Sequence, residues 1–295
     1  MSIAFFSCIP FTTILASASE SDRPFFFVIQ YFLICHQNYE ITLYKIPANT
    51  VNLGKKFHYL PTCHSTNDIA AQLLKDNEAS DGLVVLTDHQ TSGKGQGNNS
   101  WISEKGKNLT FSIVLKPEAF PASDQFMLTV ISSLGITRAL ANLGITSSIK
   151  WPNDIWYGFN KVGGILINSS IMGKYLTNCV IGIGLNVNQE RFEISGPISL
   201  RDITGREYDL NSVLGEILTE IEKAYLSYKS GKEALRKLYT GKLLGKNHAL
   251  RYRQVDDGVE FSAITLGVDE SGRIVLKKNE GELVVFNNRQ IELVP

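Results

Sequence analysis

The residues best suited to chemistry lie in the segment KWPNDIWYGFNKVGGIL, residues 150–166. Pro152 lacks a backbone N–H and therefore ends a strand, so that Asp154 follows at a strand end. The turn-forming residues 157–160 predict a hairpin, in which Asp154 and Lys161 face each other across the two strands. An ion pair of this kind beside glycine backbone suits an anionic substrate.

Two further features of the hairpin favour binding. Asn153 precedes the acid, where it can be directed into a cleft, and Gly163 and Gly164 would let a ligand lie against bare backbone. Asparagine, aspartate and lysine are, however, also common in exposed β-hairpins. Taken alone, this segment is therefore also compatible with an ordinary surface hairpin.

A glycine-rich loop, residues 90–101, follows a predicted buried strand at Leu83–Thr87. It precedes a further predicted strand at Leu109–Leu115. Its spacing is neither that of a dinucleotide fingerprint nor that of a P-loop, and no helix follows it. Alternate glycines leave room for backbone N–H groups to turn toward an anion, and Lys94 adds a positive charge. By itself, the loop is also typical of a surface loop. The glycines are Gly93, Gly95 and Gly97.

Two other segments are each compatible with a binding role and with a purely structural role. Ser65–Asp68 supplies cap-type residues before a helical pattern, so its hydroxyls could serve in capping alone. Tyr175–Val187 reads as a strand in which Gly182 and Gly184 strip one face of side chains. That face favours close approach either of a ligand or of another backbone.

Composition limits the function classes. With 295 residues, 43% of them hydrophobic, the chain can form one large domain and a small one. Lys+Arg and Asp+Glu both number 29, so no excess positive charge suggests nucleic acid. The four cysteines form no C-x-x-C pair, which favours a reducing cytoplasm, and the five histidines show no metal-ligand spacing.

The predicted domains are an N-terminal extension (1–54), a catalytic domain (55–243) and a small β-barrel (244–295). The extension contains an apolar run, Phe25–Cys35, that is too short to span a membrane, and it lacks a helix-turn-helix pattern. It could be a non-native or poorly ordered leader, a segment packing on the domain, or a targeting signal. Ile3–Ala18 resembles a signal, but no Lys or Arg precedes it.

Periodicity predicts the remaining elements. Helical spacing marks Ala122–Leu143 as a core helix, Asn211–Tyr228 as an amphipathic helix and Lys232–Tyr239 as a short one. Beyond Gly245 the apolar period becomes two, and tight turns separate short runs. The last fifty or so residues therefore predict the small barrel.

Together, four segments in a fixed order resemble biotin–protein ligase, a family that attaches biotin to a lysine of carboxylase carrier domains. The resemblance spans Phe57–Pro295, and it implies an α+β fold: a mixed or antiparallel sheet packed with helices in a class II synthetase-like catalytic domain, then an SH3-like β-barrel. It also implies a cytoplasmic biotin–[acetyl-CoA-carboxylase] ligase that uses ATP, Mg²⁺ and biotin. The four segments are STN (65–67), Gln90 with GKGQ (93–96) and Trp101, KWPND (150–154) with KVGGIL (161–166), and GIGLNVN (182–188).

By the same resemblance, three groups of residues acquire roles. The catalytic residues would be Lys161, Lys94 and Asp154. The biotin-binding residues would be Ser65, Thr66, Asn67, Gln90, Gly93, Lys94, Gly95, Gln96, Lys161 and Gly164. The ATP-binding residues would be Lys94, Trp101, Asn153 and Asn186, and no protein metal site is expected.

One departure concerns the glycine loop, which in the family usually reads G-R-G-R. Lysine cannot bind phosphate bidentately as arginine does, so Lys94 and Gln96 predict weaker retention of the adenylate. Because some members also carry a DNA-binding domain that residues 1–54 do not resemble, we expect a ligase without transcriptional activity and without a nucleic-acid or membrane partner.

Two alternatives remain: a lipoate–protein ligase of the same fold, and a non-catalytic module that captures biotin or a carrier domain. The expected partner is the carrier domain, which could dock by extending the sheet, and the same face allows a homodimer.

Overall fold

A mixed sheet is the larger of the two sheets in the computed structural model, which describes residues 48–294. Its strands are β1 (Phe57–Leu60), β2 (Val84–Thr87), β3 (Leu109–Leu115), β4 (Phe120–Pro121), β5 (Ser148–Lys150), β6 (Asp154–Tyr157), β7 (Asn160–Met172) and β8 (Tyr175–Leu185). Their order is β1-β2-β3-β8-β7-β6-β5, and β4 also pairs with β8. Only β1 and β2 among them pair in parallel, which confirms the mixed sheet.

The helices between residues 48 and 294 are α1 (Thr66–Lys75), α2 (Phe126–Asn142), α3 (Leu200–Thr204) and α4 (Leu210–Lys242), with a 3₁₀ turn at Ala122–Asp124. The core helix predicted from Ala122 thus begins later, at Phe126, because the 3₁₀ turn occupies its expected first turn. Gly231 has non-helical dihedral angles (φ 175°, ψ 78°) and interrupts α4. The two helices predicted there are therefore the two halves of one kinked element.

Helices cover both faces of the sheet. Val84 and Leu86 of β2 lie in the core that contains α2 and α4, whereas Val85 between them lies in a second core beside α1. Such alternation follows from the two-residue period of a strand. All residues of β3 are buried, including the polar Thr110 and Ser112. The central strands are thereby fixed beneath the site.

The C-terminal strands form a separate antiparallel sheet. They are β9 (Leu250–Gln254), β10 (Glu260–Val268), β11 (Ile274–Lys278), β12 (Leu283–Phe286) and β13 (Ile291–Val294), in the order β12-β11-β10-β9-β13. The predicted small all-β unit is confirmed, with a core of its own around Tyr252, Ala263 and Leu276. Strands β9 and β13 were not predicted from the sequence.

The first described residues pack on α4. The buried carboxylate of Glu222 accepts hydrogen bonds from the backbone N–H groups of Asn52 and Leu53, at 2.7 and 2.8 Å. Residues 48–54, assigned above to the extension, are thus held against the helix, whereas residues 1–47 lie outside the described part of the chain. The division at residues 54 and 243 stays a prediction. No helix in the described range is long and apolar enough to cross a membrane.

Candidate active site

The predicted hairpin forms from β6 and β7, and its ion pair is present. Tyr157 pairs with Asn160 at the turn, and Asp154 lies opposite Gly164 in the register. This register places Lys161 Nζ 2.8 Å from Asp154 Oδ1. The prediction that the acid and the lysine face each other is therefore confirmed.

A second lysine and a glycine complete this charged group. Lys150 Nζ lies 4.0 Å from the other carboxylate oxygen of Asp154 and 5.2 Å from the centre of the Trp156 ring. Two cations thus share one acid, which leaves the group with a net positive charge. A Cβ at Gly164 would lie 3.3 Å from both Asp154 Oδ1 and Lys161 Nζ, so a side chain there would press on the ion pair.

A buried polar recess lies at the start of α1. The backbone N–H of Thr66 donates to Gln90 Oε1 at 2.7 Å, and the Thr66 hydroxyl donates to the same oxygen at 3.1 Å. Ser112 Oγ lies 2.7 Å from Thr66 Oγ1 and 2.6 Å from Asn67 Oδ1, so its proton can go to either. Ser65 occupies the N-cap position but makes no capping hydrogen bond. Capping alone therefore does not explain these residues.

The bare face of β8 is covered by two side chains. A Cβ at Gly182 would come within 2.1 Å of Asn67 Oδ1, and one at Gly184 would come within 2.3 Å of the Trp101 ring. Both glycines are therefore needed for close approach, but the groups that approach them are side chains, whereas the sequence favoured a ligand or another backbone. The Trp101 ring centre also lies 6.0 Å from Lys161 Nζ, which brings the end of the glycine loop to the ion pair.

Backbone hydrogen bonds fold the glycine loop into a small hairpin. Gly95 N–H donates to the Asn99 carbonyl at 2.7 Å, and Trp101 N–H donates to the Gly93 carbonyl at 2.9 Å. Lys94 extends from this hairpin to α1, where its Nζ lies 2.7 Å from each carboxylate oxygen of Asp68. Its charge is therefore held by an acid that the sequence analysis did not assign to the site.

Two predicted ATP residues differ in position. Asn153 faces the cavity while its side-chain amide donates to the Ile165 carbonyl of β7. Asn186 is 3% exposed, and its amide donates to the Lys161 carbonyl at 3.3 Å. Its amide therefore bonds the strand that carries the lysine, and Asn186 is not among the residues that line the cavity.

These groups surround one cavity of about 410 Å³. Of the predicted site residues, Gly93 and Asn186 are not among its lining residues. The cavity does contain Ser65, Thr66, Asn67, Gln90, Lys94, Gly95, Gln96, Trp101, Asn153, Asp154, Lys161 and Gly164.

The C-terminal sheet supplies a wall of the cavity that the sequence analysis missed. Tyr252, Arg289 and Glu292 line it, together with Lys150 and Thr110 of the larger sheet. Burial raises the pKa of Tyr252, whose hydroxyl lies 3.0 Å from Thr265 Oγ1, so this wall residue stays neutral. Lys150 could have been assigned to the cavity from the sequence, because it belongs to the KWPND segment. No local sequence signal identifies the C-terminal residues, because only tertiary packing brings them here.

Comparison with known proteins agrees with this geometry. The model of the biotin/lipoate A/B protein ligase family matches residues 59–186. The chain is 31% identical over 244 residues to the bifunctional ligase/repressor BirA of Bacillus spizizenii, covering 80% of this chain and 73% of that one. It is 24% identical over 243 residues to the biotin–[acetyl-CoA-carboxylase] ligase of Mycobacterium tuberculosis, covering 80% and 89%.

A solved structure shares the fold. The biotin protein ligase from Aquifex aeolicus in complex with biotin and ATP superposes with a TM-score of 0.68 at 25% identity, covering 81% of this chain and 99% of that one. From the site geometry, the family model and the relative at 31% identity, we conclude that this chain belongs to the biotin–protein ligase family.

Proposed function

We propose that this protein is an ATP-dependent biotin–protein ligase. It joins biotin to ATP as biotinyl-5′-AMP, releases pyrophosphate, and then transfers the biotinyl group to a lysine of a carboxylase carrier domain. The observation that carries this proposal is the Asp154–Lys161 pair at 2.8 Å, which lies over bare Gly164 in a cavity with a polar recess. The names of the relatives support biotin as the substrate.

Biotin enters with its ring system in the buried recess. Ser65, free of any capping role, and Gln90 bond the ureido group, while Thr66 and Asn67 border the rings. Gly93, Lys94, Gly95 and Gln96 fold over the biotin carboxylate and the α-phosphate. The existing hydrogen bonds of the recess support this assignment, because they fix the polar atoms before the ligand arrives.

In the first step, a carboxylate oxygen of biotin attacks the α-phosphorus of ATP, and the bond from that phosphorus to the pyrophosphate oxygen breaks. The Lys161 ammonium stabilises the negative charge that builds up on the reacting oxygens. Asp154 holds this ammonium in position at 2.8 Å. Lys94 would add charge stabilisation after leaving Asp68.

In the second step, the amine of the carrier lysine attacks the carbonyl carbon of biotinyl-5′-AMP and loses a proton, and AMP leaves. Asp154 orients Lys161 or accepts that proton. Each step is a displacement at an activated centre, so positioning supplies much of the rate.

The nucleotide is assigned to the part of the cavity near Trp101 and Asn153, with Asn186 supporting the strand of Lys161. Mg²⁺ arrives with ATP, since this ion keeps most of its waters and binds substrate phosphates. Residues 48–294 contain no cluster of three or more acidic, histidine or cysteine side chains that could hold a metal. Mg²⁺ would enter the cavity bound to the ATP phosphates, as part of the substrate.

The partner, the location and the absence of a regulatory role are proposals as well. The carrier domain docks beside the cavity, and a homodimer could use the same sheet edge. A cytoplasmic location and the lack of a nucleic-acid partner rest on composition and on residues 1–54, of which 1–47 lie outside the described part. DNA-binding measurements on the full chain would test the last point.

ATP–pyrophosphate exchange measured with biotin or with lipoate tests the proposed activity. We expect exchange with biotin alone, because the relative from Mycobacterium tuberculosis and the solved structure from Aquifex aeolicus are named as biotin ligases. Exchange driven only by lipoate would assign the protein to the lipoate ligases. Binding of biotin without any exchange would instead indicate a non-catalytic module.

A further inference from the structure

The turn between β12 and β13 brings an arginine to the glycine loop. Gln290 N–H donates to the Asn287 carbonyl at 3.1 Å, and between them Arg289 adopts a φ of 68°, a conformation that non-glycine residues rarely take. A Cβ at Gly97 would lie 2.7 Å from Arg289 Nη2, so the guanidinium packs directly on the tip of the loop. The C-terminal sheet therefore delivers a cation to the cavity.

Arg289 differs from the other cations that line the cavity. Lys94 pairs with Asp68 at 2.7 Å, and both Lys161 and Lys150 face Asp154, at 2.8 and 4.0 Å. Within residues 48–294, Arg289 has neither an ion pair nor a hydrogen bond. The five N–H donors of its guanidinium are therefore available to a ligand.

The carboxylates in and beside the cavity are in turn occupied. Glu292 is the acid on the C-terminal wall, and its carboxylate forms a salt bridge with Arg253 at 3.1 Å. A triphosphate carries several negative charges, whereas the three lysines are already partly neutralised. If Lys161 acts at the reacting carboxylate and the α-phosphate, the β- and γ-phosphates need a second cation.

We propose that Arg289 is a binding residue for the β- and γ-phosphates of ATP, and for the pyrophosphate that the first step releases. A guanidinium suits this task, because its planar fork binds two phosphate oxygens at once. The inference rests on the proposed function in taking ATP as the nucleotide. It gives the C-terminal sheet a direct part in adenylation.

Calorimetric titration of the full chain tests the inference without requiring turnover. The variant Arg289→Gln keeps a long polar side chain but loses the charge, and Arg289→Lys keeps the charge but loses the fork. We expect Arg289→Gln to weaken binding of the α,β-methylene analogue of ATP with Mg²⁺, and of inorganic pyrophosphate, by about tenfold to a hundredfold. AMP binding should change less than about twofold, and Arg289→Lys should be intermediate. Lys277→Ala, an exposed cation of β11 outside the cavity, is the matched control and should behave as wild type.

Two outcomes would overturn this role. One is unchanged binding of the ATP analogue by Arg289→Gln; the other is an equal loss for AMP and the analogue, which would show that the arginine only shapes the loop. Failure of the proposed function would give a different result, because the wild-type chain would show no biotin-driven ATP–pyrophosphate exchange. The titrations would still measure how Arg289 affects binding of the ATP analogue.

Discussion

The two ends of the cavity are built in opposite ways. In the recess, Ser65, Thr66 and Asn67 are 1%, 3% and 5% exposed. On the glycine loop, by contrast, the Lys94 side chain is 54% exposed. Side-chain hydrogen bonds fix the recess, whereas backbone hydrogen bonds shape the loop and the exposed Lys94–Asp68 pair ties it to α1. The recess is thus preformed for a neutral, hydrogen-bonding ligand, and the loop can rearrange around a charged one.

This difference assigns ligand recognition to the recess and charge stabilisation to the loop. A preformed polar recess discriminates strongly, since a ligand lacking the right groups leaves buried atoms unpaired. An exposed cation contributes little to stability but remains free to meet phosphate. The ion pair of Asp154 and Lys161 lies between the two ends, where the carboxylate and the phosphorus must meet.

A methyl group at Gly182 should disrupt the recess most. In Gly182→Ala the new Cβ would lie 2.1 Å from Asn67 Oδ1, so the asparagine must move and lose its bonds. We expect biotin affinity, measured by calorimetry, to fall by about tenfold to a hundredfold. Gly241→Ala, where a Cβ would meet nothing within 4 Å, is the matched control. Wild-type biotin affinity in Gly182→Ala would contradict a preformed recess.

Removal of one hydroxyl should have a smaller effect. Ser112→Ala leaves the buried oxygens of Thr66 and Asn67 without their neighbour, at a cost of about 1–3 kcal/mol. Because the recess is then less well ordered before the ligand binds, biotin affinity should decline about tenfold, and the melting temperature should fall. Ser133→Ala is the control, because Ser133 Oγ is buried without a hydrogen-bond partner among the described residues. An equal fall in melting temperature in the two variants would show that the hydrogen bonds of Ser112 do not stabilise the recess.

The smallest effect on stability is expected at the loop. Lys94→Ala breaks an exposed pair with Asp68, which is worth about 0–1 kcal/mol and is screened by salt. The melting temperature should barely change, while biotin affinity and the rate of adenylate formation should each decline by less than about tenfold. Rapid-quench measurement of biotinyl-5′-AMP gives the rate. A large loss of stability would contradict the contrast between loop and recess.

Sequence patterns predicted the parts of the site that are local. Pro152, the turn at residues 157–160 and the paired glycines specify the hairpin, and the short separation of Asp154 from Lys161 determines their contact. The buried strands and the amphipathic helices follow from apolar periodicity. Strand β9 was missed although Leu250 and Tyr252 alternate with Arg251 and Arg253, because two apolar residues are a short signal.

Contacts between distant segments could not be predicted. Lys94 meets Asp68, and Arg289 meets Gly97, only because separate elements pack together. Asn186 follows the glycine strand in sequence, but the strand ends at Leu185 and the asparagine amide bonds the Lys161 carbonyl of β7, a contact that the alternation alone does not predict. Periodicity assigns a face only while a strand continues.

The central claim is that the Lys161 ammonium acts on the reacting groups and contributes little to biotin recognition. Measurement of both adenylate formation and biotin affinity in Lys161→Ala tests it, with Lys174→Ala, an exposed cation outside the cavity, as the control. We predict that adenylate formation declines by about a hundredfold to a thousandfold while biotin affinity stays within several-fold. An unchanged rate of adenylate formation in a folded Lys161→Ala protein would contradict the account.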